Sequence, residues 1–446
     1  MKKIVLSISC AAAAAVMSGA ESGPGASPPT SATAITPAFI NQLAEEMRTN
    51  HPALQAADAR TNAAAANVAS VRTWEDPMAR VGGVAARQDM RADEGDLLYG
   101  VEQKLPLFGK PQRARAVAQA ELSTEQASAS YQFQRLRSDL AKALFKAALA
   151  SRVVEVGDQD RAWLETIVSA TDAKYRTGEA TLAELLEAQN ELAKRANQLR
   201  TDIALRSNEE FTLNRLLNRA PESPWPALQL PAVAPAIAYS QRLVDFSLKY
   251  EPKTLVMRQQ VKQAEAAVQV TRRSRLPDFS AGLEARNYTG DGSFRQGMFV
   301  LSLNLPWGNA EKYRSDIRRE EAKQRATELD LADWQLSARQ EVHHLTVAID
   351  TARREALLYR DEIIPRSEQA QASALSAWQT NRRTLREVIE TRLMLLDARL
   401  MYARAVAEQY TMMSELVLCC GLGDFESLQM IGAQPEIPTE EKPNEK

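Results

Sequence analysis

Cysteine is nearly absent: there are three in 446 residues. Cys10 sits in an N-terminal apolar run and lacks a lipobox, and the remaining pair, Cys419 and Cys420, are neighbours, which rarely bridge each other. No disulfide framework is therefore expected. Glycine (18 residues) and aromatics (6%) are also sparse, which argues against a Gly-rich or low-complexity chain. The only histidines are His51, His343 and His344, with no Cys, His or Asp partners at metal spacing, so no metal site is expected. Beyond the leader no run reaches the ~18 consecutive apolar residues of a membrane helix. With 55 Lys+Arg against 57 Asp+Glu and a formal charge of −2, the chain has no general basic face for nucleic acid. There is no Gly-rich phosphate loop, nucleophile elbow or nucleophile–base constellation, so neither an enzyme nor a cofactor is expected.

What is present begins with an export signal. Lys2 and Lys3 precede an apolar run from Ile4 to Met17, and Ser18-Gly19-Ala20 supplies small residues for cleavage after Ala20. Residues 1–20 read as a signal peptide and 21–36 as a flexible lead-in. Residues 423–446, rich in Pro and Glu, read as a flexible tail. Between these ends the chain repeats itself. Asn50-His51-Pro52 recurs as Tyr250-Glu251-Pro252, and Leu105-Pro106-Leu107-Phe108-Gly109 as Leu305-Pro306-Trp307-Gly308. Tyr175-Arg176-Thr177-Gly178 with Thr181 and Leu182 recurs as Trp378-Gln379-Thr380-Asn381 with Thr384 and Leu385. The offsets are 200, 199–200 and 203. A two-fold internal repeat follows, 37–220 and 237–422, joined by the Pro-rich connector 221–236.

Each repeat reads in the same order: a helix (37–72, then 237–274), a strand hairpin (77–105, then 277–305), a long helix (110–175, then 309–378) and a further helix (182–219, then 384–420). At 1.5 Å per residue the long helices reach ~100 Å and the shorter ones ~55 Å, so two stacked short helices match one long one and together suggest a tall cylinder. Leu182, Leu185, Gln189, Leu192, Ala196, Leu199 and Ile203 alternate at three- and four-residue spacing, a coiled-coil seam; ordinary core packing produces such a stripe too. In the strands, Leu97, Tyr99 and Val101 alternate with Leu98, Gly100 and Glu102, and Phe279, Ala281 and Leu283 with Ser280, Gly282 and Glu284. One face is apolar and the other mainly small or polar. A soluble hairpin packed on helices would alternate in the same way. Segments of ~10 residues also suit a tilted membrane β-strand. Four strands cannot close a barrel, and in lipid an open edge is not tolerated. The membrane reading therefore requires several copies, and three would supply twelve strands.

The signal peptide, the repeat, the strand-Pro-x-Phe-Gly turn into a long helix and the Tyr-x-x-Gly-x-x-Thr-Leu break together resemble the TolC-type outer-membrane efflux family, over about residues 37–425. Gln103-Lys104-Leu105-Pro106-Leu107-Phe108-Gly109-Lys110 is most similar to the branch serving heavy-metal efflux pumps. The resemblance implies a mainly α chain with a small β part. Four strands per chain would contribute to a 12-stranded trimeric transmembrane β-barrel, above a long coiled-coil α-helical barrel crossing the periplasm. It implies a passive exit duct in the outer membrane, in contact with lipid and working as a homotrimer with a periplasmic adaptor and an inner-membrane transporter. The cargo is open: metal ion, drug or polypeptide. The competing reading is a soluble periplasmic coiled-coil scaffold or adaptor, although an adaptor usually carries one helical hairpin and more strand.

The resemblance also implies a gate of acidic residues at the periplasmic tip. The family pattern there, Thr followed by acids three and six residues on, falls on Thr384, Glu387 and Glu390. The first repeat offers Thr181, Glu184 and Glu187 at the same spacing. In a trimer Glu387 and Glu390 would ring the axis and favour cations; a solvated helix face is the plain alternative. Arg383 matches a basic tip position expected to pair with a tip carboxylate, with Arg382 and Arg386 as rivals. Gly178 and Asn381 suit left-handed turns between helices, which would form the adaptor-docking tips together with Thr181, Leu182, Thr384 and Leu385.

Overall fold

The computed structural model describes residues 33–84, 96–288 and 292–433. The signal peptide expected at 1–20 lies outside the described residues. The first helix of each repeat is broken in two. In the first repeat α1 (Pro37–Asn50) ends and α2 (Pro52–Ser70) begins around His51. Pro52 has no N–H to continue the ladder, and the His51 ring takes over: its Nδ1 accepts the Ala53 N–H at 3.2 Å, while the His51 N–H closes the preceding helix on the Met47 carbonyl at 2.8 Å.

A strand hairpin follows, β2 (Met78–Val84) and β3 (Asp96–Leu105), and leads through a left-handed pair, Phe108 (φ 58°) and Gly109 (φ 67°), into α3 (Lys110–Thr177). This helix of 68 residues is ~100 Å long. A tight turn reverses it into α4 (Leu182–Leu217).

The second repeat breaks its first helix at the equivalent proline, giving α5 (Gln241–Tyr250) and α6 (Pro252–Ser274). The strands β5 (Phe279–Tyr288) and β6 (Phe294–Leu303) then lead to α7 (Ala310–Leu358). Here the long helix is interrupted. One π turn, Tyr359–Ile363, precedes α8 (Ile364–Gln379), because Pro365 in the first turn of α8 cannot donate to the ladder. The last long helix is α9 (Leu385–Cys419).

The four strands form one antiparallel sheet in the order β2-β3-β5-β6. The helices below continue the same order as a single-layer wall, α2 against α3, α3 against α6 and α6 against α7. The core sits midway down, in an equatorial belt. Met47, Leu140, Leu144, Phe145, Leu213 and Leu217 make one cluster, and Leu243, Leu345, Ile349, Met413, Leu416 and Cys420 another; Tyr410 and Phe425 touch both.

The described parts of the lead-in (33–36) and of the tail (423–433) depart from the sequence reading at this belt; residues 21–32 and 434–446 lie outside the described residues. In the lead-in, β1 (Thr33–Ala34) pairs in parallel with β4 (Leu228–Gln229) of the connector, Ile35 is buried, and Thr36 caps α1. In the tail, α10 (Phe425–Ala433) docks through Phe425, whose ring lies 6.0 Å from Phe145 and 5.9 Å from Tyr410. Apolar residues inside Pro/Gly/Glu-rich composition hold these segments, and composition averages over them. Gly421 makes the docking possible. At φ 63° it passes so close to the Tyr250 carbonyl that a Cβ would lie 2.2 Å from the oxygen.

Candidate functional site

The two tips share a left-handed turn, but only the first closes its next helix with a side-chain cap. At the end of α3, Gly178 takes φ 79°, and the Glu179 and Ala180 N–H groups return to the Lys174 carbonyl at 2.8 and 3.2 Å. Thr181 then caps α4 through a capping box: its Oγ1 accepts the Glu184 N–H at 3.2 Å, and the Glu184 carboxylate accepts the Thr181 N–H at 2.9 Å. Glu184 is thus folded back onto its own helix start.

At the second tip Asn381 takes φ 57°, and the Arg382 N–H reaches the Ala377 carbonyl at 2.8 Å. Thr384 Oγ1 donates to Glu387 Oε1 at 3.3 Å, and Arg383 Nη1 lies 3.2 Å from Glu387 Oε2. Glu390 is exposed, one turn further on, with no ion-pair partner among the described residues. Arg386, one of the rivals, spans the two hairpins and meets Glu187 at 3.2 Å.

The tips differ where the repeat suggests they match. Leu182 is 52% exposed, whereas its counterpart Leu385 is wholly buried with Ile167, Ala188, Trp378 and Val388. Leu385 therefore supports the tip from inside and offers no docking surface. Lys174, which sequence reasoning missed, ties the tips together. Its ammonium donates to the Trp378 carbonyl (2.9 Å) and to Asn381 Oδ1 (2.6 Å) and lies 4.7 Å from the centre of the Trp378 ring. The signal was faint: a lysine in the last turn of a helix is ordinary.

Higher up, Asp160 of α3 is buried between two arginines, 2.8 Å from Arg195 Nε of α4 and 2.7 Å from Arg392 Nε of α9. The Arg392 guanidinium also stacks on Trp163 at 4.9 Å. The contact seam of α4 accordingly runs through Leu185, Ala188, Leu192, Arg195, Leu199 and Asp202. Gln189 and Ile203 of the apolar reading point outward. A pattern search for apolar residues passes over a seam that contains an arginine and an aspartate.

The sheet separates two environments. On one face Val81, Leu283, Phe299 and Leu301 are 77%, 70%, 70% and 55% exposed. On the other, Glu102 bonds to Arg80 and Ser280, and Asp96 to Arg286 and to Arg295, the latter at 3.2 Å. The strands β3 and β5 meet across a local two-fold: Gly100 faces Glu284 and Gly282 faces Glu102. A Cβ on either glycine would lie within 2.8 Å of the neighbouring strand's carbonyl, so the glycines let the two strands approach. Among the described residues no helix is long and apolar enough to cross a membrane, and no group of His, Cys, Asp or Glu is arranged to hold a metal ion.

A family model for outer membrane efflux proteins matches residues 43–219 and 243–421. The chain belongs to the outer membrane efflux protein family. It is an efflux channel of the outer membrane with a helical extension into the periplasm. No curated protein sequence matches it significantly. Among solved structures, the outer-membrane channel OprN superposes with TM-score 0.75 at 19% identity, covering 87% of this chain and 91% of that one. CmeC of Campylobacter jejuni gives 0.74 at 15%, covering 88% and 89%. VceC of Vibrio cholerae gives 0.72 at 16%, covering 86% and 96%. These likenesses establish the shared fold. Family membership assigns the chain a transport role and no catalysis.

Proposed function

We propose that three copies join edge to edge into a twelve-stranded barrel over a continuous helical tunnel, the passive exit duct of a tripartite efflux pump. The sheet carries this reading. Among the described residues its edge strands β2 and β6 have no partner on their outer sides, and its broad face is apolar and exposed. In lipid, unpaired strand edges are excluded, and pairing β6 of one copy with β2 of the next removes them. Among the described residues the helical wall below begins on α2 and ends on α7 in the same order. A soluble scaffold would gain nothing from an outward apolar sheet face.

The tip is the gate in this reading. Glu387 and Glu390 of each copy converge on the axis and favour cations, and Arg383 restrains Glu387 from the preceding turn. Glu184 serves its own helix cap, so the first hairpin contributes Glu187, held by Arg386. A periplasmic adaptor meets the exposed part of the tips, at Gly178, Thr181, Leu182, Asn381 and Thr384, and passes on substrate from an inner-membrane transporter. Opening breaks ion pairs that are solvent-exposed, each worth about 0–1 kcal/mol, a scale suited to a switch.

The test is conductance in planar bilayers together with migration in mild detergent. A trimer with cation-selective pores is expected. Glu387→Gln/Glu390→Gln should lower the cation preference, and Arg383→Ala should raise the open fraction. A monomer in detergent, or selectivity unmoved by the double substitution, would count against the assembly and the gate respectively.

A further inference from the structure

Where the wall passes from strand to helix, its charge turns positive. In the four segments 70–76, 104–116, 271–278 and 304–316, ten lysines and arginines stand against five carboxylates, in a chain whose whole formal charge is −2. Further down the helices, many arginines are matched by a carboxylate one turn away, as in Arg152–Glu155, Arg161–Glu165, Arg325–Glu328 and Arg354–Asp350. At the junction Arg113, Arg115 and Arg275 are exposed, and no carboxylate among the described residues pairs with them. Arg113 and Arg115 lie in the first two turns of α3, a helix with no acidic residue in its first turn. Cations there oppose the helix dipole, so these two arginines lack a compensating negative partner among the described residues.

Arg273, exposed in the same band, has neighbours that fix what it faces. Arg273 donates to the Phe108 carbonyl at 3.4 Å, and the Phe108 ring lies 6.1 Å from Phe279. Phe279 shares a sheet face with Leu283 by strand alternation, and its cross-strand partner is Leu303. This is the apolar, exposed face. Phe108, Leu305 and Trp307 are themselves 43%, 58% and 63% exposed at the lower rim of that face. Aromatic side chains above and unpaired guanidinium groups beside and below match the level at which hydrocarbon gives way to headgroups.

We infer that this collar, centred on Arg113, Arg115 and Arg273, holds anionic phospholipid headgroups of the periplasmic leaflet. The inference rests on the outer-membrane channel reading and adds a lipid partner to it. The attraction is between guanidinium groups and phosphate, reinforced by Phe108 and Trp307 against the acyl chains.

The experiment uses the full-length protein in mild detergent with equimolar phosphatidylglycerol and phosphatidylcholine, counting retained lipids by native mass spectrometry. Phosphatidylglycerol should be retained roughly tenfold over phosphatidylcholine, a preference within the reach of three arginines at a headgroup surface. Arg113→Gln/Arg115→Gln/Arg273→Gln should abolish the preference, and the corresponding three-lysine variant should keep it, which separates charge from folding. Added inorganic phosphate should leave the retained lipid in place. Equal retention of the two lipids, an unaltered preference in the glutamine variant, or displacement of the lipid by free phosphate would each overturn the proposal. Conductance of the same preparation reads the channel separately: pores that conduct without lipid preference sink the collar alone.

Discussion

Among single residues, Asp160 carries the most consequence for stability. Its carboxylate is 1% exposed, and the two guanidinium groups it serves are 12–13% exposed. Asp160→Ala leaves two buried cations without their counter-ion, and the expected loss is about 3–5 kcal/mol, read as a lower midpoint of thermal unfolding in detergent. Replacing Asp160, Arg195 and Arg392 together by leucine should recover much of that loss, because the cost lies in the orphaned charge. None of this was legible in the sequence. Asp160 and Arg392 are 232 positions apart, and a charged residue inside a helix ordinarily reads as solvated. The acids at the tip were named from the family pattern, whose Thr-x-x-Glu spacing is local in the chain. The same spacing hid the fact that Glu184 is engaged in its cap and that Leu385 faces inward.

At the scale of elements, helix ends were well marked and helix interiors less so. Thr36, Thr181, Gly178 and Asn381 all stand where caps and turns need them. The break at Pro52 escaped a reading of 37–72 as one helix, although His51-Pro52 is itself the repeat landmark. His51 also gives that break a pH dependence. Burial, with the nearby Arg215 charge, holds its imidazole below the ordinary 6.5. The folded state therefore resists protonation. Its stabilising contribution is complete above pH 6.5 and is lost as pH falls through the lower folded value. Protonation also removes the Nδ1 acceptor that caps α2. His51→Asn retains a capping side chain without the titration, so the variant's melting temperature should fall less than that of the parent between neutral and mildly acidic pH. An identical fall in both would refute the assignment. The left-handed turns give a second contrast. Gly178→Ala should cost about 1–2 kcal/mol, while Asn381→Gly, which eases the left-handed backbone at φ 57° but loses the Lys174 bond to Oδ1, should cost less, both measured by thermal unfolding.

On the scale of the whole molecule, the order β2-β3-β5-β6 over α2-α3-α6-α7 was foreshadowed by the repeat itself, because duplicated hairpins feeding duplicated long helices leave few ways to build a wall. The two faces of the sheet followed from alternation, and the structure supplied their use: charges bonded to one another on one side, bare side chains on the other. Substitution should tell the sides apart. Leu283→Arg places a charge on the exposed apolar face, the lipid side in the proposed barrel, and should cost about 2–4 kcal/mol at mid-depth, seen as loss of heat-resistant protein from the outer-membrane fraction. Glu284→Gln, the next residue along and facing the interior, should assemble normally. Equal behaviour of the two would invert or abolish the proposed sidedness. The equatorial belt was the least legible part, because short pieces of the lead-in (Ile35), the connector (Leu228) and the tail (Phe425, Leu428) complete the helical core there, each with too few apolar residues to stand out alone.

The π turn at Tyr359–Ile363 bears on the two legs of the chain. From Gly109 to Thr181 the first leg advances 72 positions, and from Gly308 to Thr384 the second advances 76. Four more residues in a helix mean ~6 Å of rise and one full turn plus roughly 40° of rotation, and the wide turn beside Pro365 is where the second leg absorbs part of the surplus. The feet of the molecule are consequently a left and a right shoe. In the proposed trimer a protein gripping them from below would find two kinds of socket in alternation, and a partner shaped for one would sit askew on the other.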